Sequence, residues 1–145
     1  EAAVRRALPA LQERLGRRCA LAVCCKQRDD RPRAPGAPPT QLRWSMACLR
    51  SGEVVSTYDS AITQQVVEEI GGGDSWLSGC LDGLVHSTAE AQAASPAWTP
   101  EMWRAAMRRG DMMATLKQKT IGDFSCVARA ELDAALAAHL GPAAE

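Results

Sequence analysis

The feature that most constrains this chain is the run Gly71-Gly72-Gly73, followed at once by Asp74 and Ser75. The periodicity of the apolar residues changes there. Ile62, Val66, Val67 and Ile70 lead into the glycines, and Leu77, Leu81, Leu84 and Val85 leave them at helical spacing. A glycine run lets the backbone approach a ligand closely, and the helix behind it offers unpaired N–H groups and the positive end of its dipole. An anion is the expected guest. Phosphoryl transfer builds charge on equatorial oxygens, which such a cradle suits, and a carboxylate just beyond the glycines could orient and deprotonate an attacking hydroxyl. The same residues also suit a plain turn and an Asp helix cap. The G-x-x-x-x-G-K-[ST] nucleotide loop is absent.

The 145 residues are enough for one ordinary domain, and we expect a single unit over residues 1–145. Seventeen basic and seventeen acidic residues cancel, so no net field draws the chain to nucleic acid or to an anionic membrane. No stretch approaches the roughly 18 consecutive apolar residues of a membrane span. The six cysteines form no C-x-x-C pair, and several lie in apolar runs where a reduced thiol packs as a small hydrophobe. A cytoplasmic protein is expected. His86 and His139 are far apart and have no neighbours at zinc-site spacing, so no metal ligand is assigned.

Val4, Leu8, Leu11 and Leu15 form the stripe of an amphipathic helix over residues 3–15, stopped by Gly16. Residues 19–25 form a short apolar run consistent with a strand buried on both faces of a parallel or mixed sheet. Residues 31–39 hold four prolines and Gly36, the composition of an extended loop insertion. Residues 44–49 and 54–58 flank Ser51-Gly52-Glu53 and should pair as a hairpin. Residues 89–100 read as a linker, and a long helix follows from about Pro100 with Thr99 as N-cap. Lys119 to Ser125 is a polar loop around Gly122, and residues 129–140 form a last helix ended by Gly141 and Pro142. Strands interleaved with helices argue for an α/β layer architecture.

The stretch "VVEEIGGGDSWLSGCLDGLV" resembles the glycine signature of ribokinase-type (PfkB) carbohydrate kinases, in their 2-keto-3-deoxygluconate kinase branch. Downstream, "MATLKQKTIGDFSCVARAELDAAL" is similar to the helix, "GDF" turn and final helix of that branch. Upstream, "LAVCCKQRDD" and "RWSMACLRSGEVV" resemble its strand, arginine-bearing loop and Trp-Ser hairpin. The resemblance implies the C-terminal part of a ribokinase-like three-layer α/β/α fold, with an N-terminal half preceding Glu1. It implies ATP-dependent phosphorylation of a sugar or sugar-acid hydroxyl, with ATP and Mg2+ as cofactors.

On this resemblance Gly71, Gly72 and Gly73 form the anion hole and Asp74 is the catalytic base. Lys26 and Arg28 fall in a nucleotide-contacting loop, with Arg28 a phosphate contact. Asp123 matches a carboxylate near the sugar site, and equally suits a polar turn beside Gly122. Residues 112–117 would line the adenine pocket, although Met112, Met113 and Leu116 also read as core. Glu68-Glu69 replaces the family's Asp-Arg pair, which would set a carboxylate against a triphosphate, and Trp76 replaces a phenylalanine. The sheet edge left by an absent half would invite pairing with that half or with a second copy. A truncated or degenerate homologue that binds nucleotide or a protein partner without catalysis is the alternative reading.

Overall fold

A computed structural model describes residues 1–29, 40–91 and 98–141. The 31–39 insertion and most of the expected linker therefore lie outside the described residues. Among the described residues the chain forms α1 (Ala2–Arg14), β1 (Leu21–Arg28), β2 (Thr40–Cys48), β3 (Val54–Ser56), a short 3-10 turn (Tyr58–Ser60) and β4 (Ile62–Gln65). Helices α2 (Gly72–Ala91), α3 (Pro100–Lys117) and α4 (Arg129–Leu140) follow. The architecture is mixed α/β, with a small antiparallel sheet and four helices.

β2 is the spine of the sheet. It pairs with β1 along its whole length, Leu21 facing Cys48 and Arg28 facing Gln41. On its other side β3 takes the distal end, Cys48 facing Val54, and β4 takes the proximal end, Thr40 facing Gln65. Every pairing is antiparallel, so the expectation of a parallel or mixed setting for residues 19–25 is corrected. β1 pairs on one side only and is half-buried, because as an edge strand it lacks the second neighbour that would cover it. The expected hairpin is β2–β3. β4 is a strand that the apolar pattern around Ile62 does not announce, since Thr63 and Gln65 are exposed and buried Gln64 takes an inward position.

Alternation along β2 assigns its two faces. Trp44, Met46 and Cys48 pack with Leu8 of α1, while Ala47 faces Cys80 and Leu84 of α2 and Ala106 and Met107 of α3. Gln12 fastens α1 to the end of β2, its amide donating to the carbonyls of Cys48 at 2.9 Å and Leu49 at 2.7 Å. The α2–α3 pair is close because small residues meet. A Cβ at Gly83 would stand 2.7 Å from Ala106 Cα, one at Gly79 2.8 Å from the Arg109 carbonyl, and one at Gly110 2.7 Å from the Trp76 carbonyl. α4 adds a smaller cluster in which Leu132 meets Met112 and Ile62. Thr99 caps α3 as expected, accepting from the Met102 N–H at 3.3 Å. α2 continues to Ala91, two residues past the expected start of the linker, because nothing in the alanine-rich run breaks a helix.

Candidate functional site at the start of helix α2

The glycine run forms the first turn of α2 and the residue before it. Gly71 has φ +75°, a left-handed conformation that a side chain resists, and a Cβ there would collide with the backbone carbonyl of Asp123. The turn at residues 119–125 therefore lies directly on the glycines, so the two segments that carry the kinase resemblance meet in space. A second bond secures them, as Glu68 Oε2 accepts from the Gly122 N–H at 2.7 Å. Gly72 is buried against the Gln118 side chain, whose Nε2 would lie 2.6 Å from an added Cβ. Gly73 faces open space.

The backbone bonds at this helix start are incomplete. The Gly72 N–H donates to the Glu69 carbonyl at 3.2 Å, and the Ser75 N–H to the Gly71 carbonyl at 3.0 Å. Between them, the N–H groups of Gly73 and Asp74 have no acceptor among the described residues. Two adjacent donors at the positive end of a helix, with open space beside Gly73, can accept an anion. Asp74 stands in the same turn with its carboxylate exposed.

The expected nucleotide-loop residues sit differently. Lys26 pairs with Glu69, Nζ to Oε2 at 3.0 Å, and Gln41 donates to the other oxygen of Glu69 at 2.7 Å. The Gln41 hydrogen bond and the Lys26 ammonium hold the Glu69 carboxyl below its usual range. The expected clash between Glu68-Glu69 and a phosphate is thus softened: Glu69 has its own counter-ion and Glu68 spends one oxygen on the Gly122 amide. Arg28 is exposed at the end of β1, opposite Gln41 in register. Asp123 is brought to the glycines through its backbone, with an exposed side chain. Met112 is buried against Ile62 and Leu132, so it serves the core.

Beneath the turn lies a polar layer that the sequence reading did not isolate. Gln118 Oε1 accepts from Arg43 Nη2 at 2.5 Å and from Gln64 Nε2 at 2.7 Å, and its backbone carbonyl accepts from the Val67 N–H at 2.9 Å. Gln118 therefore ties β2, β4 and the segment before the glycines to the end of α3. Deeper still, Asp111 accepts from Ser45 Oγ at 2.5 Å, from Thr57 Oγ1 at 2.7 Å and from Trp76 Nε1 at 3.1 Å. Burial pushes its carboxyl up to about 6, against those hydroxyl bonds and the charge of Arg43. The ring nitrogen of Trp76 joins α2 to this buried acid.

One signal for these residues was legible. Met107, Gly110, Asp111, Ala114, Lys117 and Gln118 recur at intervals that keep them on the buried face of α3, so charges at 111 and 117 lie in phase with the apolar stripe. Among the described residues no three His, Cys, Asp or Glu side chains converge as a metal site, and no helix is long and apolar enough to cross a membrane. Compared with known proteins, the chain matches no family model, no curated protein and no solved structure.

Proposed function

We propose that this chain is the nucleotide-binding and catalytic portion of a ribokinase-type carbohydrate kinase that phosphorylates a sugar or sugar-acid hydroxyl. The observation that carries the reading is the pair of open N–H groups at Gly73 and Asp74, set at the start of a long helix with an exposed carboxylate in the same turn. The apposition of the "GDF" turn on Gly71 supports it, because the two resembling segments form one place in the fold.

ATP supplies the phosphoryl group when bound, and magnesium travels on its phosphates, an ion that needs only one or two carboxylates from protein. The open space at Gly73 admits a phosphate to backbone contact, and the two N–H groups stabilise charge that grows on the transferring oxygens. Asp74 would take the proton of the sugar hydroxyl as that oxygen bonds to the terminal phosphorus and the bond from that phosphorus to the bridging oxygen breaks, releasing ADP. The sheet, built on one antiparallel spine with helices on both faces, would form the C-terminal part of the three-layer fold of that family.

The test is phosphoryl transfer from ATP to 2-keto-3-deoxygluconate by the protein that carries this chain. Asp74→Asn keeps the helix start and removes the base, and turnover should fall at least about 100-fold. Turnover at the unsubstituted rate removes Asp74 from the mechanism.

A further inference from the structure

The turn that lies on the glycine run encloses a cation. Lys117, the last residue of α3, is 0 % exposed. Its Cε stands 3.2 Å from the position a Gly71 Cβ would take, so the end of the side chain is directed at the start of α2. Its Nζ donates to the Thr120 carbonyl at 3.3 Å, and among the described residues it has no carboxylate partner. An ammonium carries three donors, so two are left over. A buried cation is costly unless an opposite charge is near.

Gly71, which Lys117 reaches, immediately precedes the first turn of α2, where the N–H groups of Gly73 and Asp74 are open at the positive end of the helix. The two carboxylates just before the glycines are engaged elsewhere, Glu69 with Lys26 and Gln41, Glu68 with the Gly122 amide. A buried ammonium beside open helix-start amides, none of them bonded to a carboxylate among the described residues, describes a place that a bound anion can complete.

We propose that Lys117 is an anion-binding residue of this site, supplying the side-chain cation to a polyphosphate held by the Gly73 and Asp74 amides. The turn at residues 119–125 gives way to admit it. The ammonium then exchanges a weak carbonyl contact for charge-assisted bonds to phosphate oxygens. The identification of the anion as a polyphosphate rests on the kinase reading above; the anion site itself does not.

The experiment is a calorimetric titration of the chain with inorganic tripolyphosphate, comparing the native protein with Lys117→Met and Lys117→Arg. Lys117→Met should keep a urea midpoint no lower than native, since it removes a buried charge and preserves the stem, yet bind at least about tenfold more weakly. Lys117→Arg should recover most of that loss. Affinity unchanged in Lys117→Met overturns the proposal, as does a fall in stability without a fall in affinity. Should Lys117→Met not fold, the Lys117 Nζ resonance of the native protein must shift on adding tripolyphosphate, and a static resonance overturns the proposal equally. The two readings fail separately. Full turnover by Asp74→Asn removes the kinase mechanism and leaves the Lys117 site standing, whereas unchanged tripolyphosphate affinity in Lys117→Met removes the site whatever Asp74 does.

Discussion

Asp111 is an acid held almost wholly out of water by a layer of hydroxyls and an indole, and its environment makes a pH prediction. In the folded chain burial pushes its carboxyl up to about 6, from an ordinary aspartate value of 3.8. Between those values the folded state holds a proton that the unfolded chain has released, so its contribution is most favourable below pH 4 and declines as pH rises towards 6. The decline is worth up to about 3 kcal/mol. Urea unfolding of Asp111→Asn and native protein across pH 4 to 7 should therefore show the difference moving in the variant's favour as pH rises. A constant difference contradicts the buried-acid assignment. Gly71 makes a second residue-scale prediction. A left-handed φ and the Asp123 carbonyl together should make Gly71→Ala at least about 2 kcal/mol less stable by the same measurement.

At the scale of elements, the helices were legible and the sheet only in part. The stripes of α1, α3 and α4 follow from spacing at Leu8, Ala106 and Leu132, and Thr99 announced its cap through its residue type. The antiparallel setting of β1 was not legible, because an apolar run such as Leu21 to Cys25 looks the same on an edge as in the middle of a sheet. β4 was hidden because its inward Gln64 is held by donating to Gln118, a partner 54 residues away that no local pattern reveals. The same distance effect concealed the site's foundations: Gln118, Arg43 and Lys117 are ordinary polar residues until the fold buries them. Two element-scale outcomes follow. Gln118→Ala leaves Arg43 and Gln64 buried without their shared acceptor and should cost about 2–4 kcal/mol. Gly83→Val forces α2 off Ala106 and should cost about 1–3 kcal/mol or more, with the helix content by circular dichroism retained.

At the scale of the whole molecule, the glycine run is where the elements meet. β2 and β4 reach it through Arg43, Gln64 and Gln118, α3 ends against it at Lys117, the 119–125 turn lies over it, and α2 begins from it. The two segments that carry the kinase resemblance were visible in the sequence, and nothing local to either announced that they touch. The fold supplies that contact. It also leaves α2 with Leu77, Leu81 and Val85 on its outer side, each at least half exposed. Gly73 isolates the central claim from the stability of this arrangement, because a side chain there meets nothing within 4 Å and yet fills the space a phosphate would use. The most direct measurement is calorimetric titration of native chain and Gly73→Val with a non-hydrolysable ATP analogue and magnesium, both confirmed folded by circular dichroism. The account predicts binding by the native chain and its loss in Gly73→Val. A folded native chain with no binding, or equal binding by both, would contradict it.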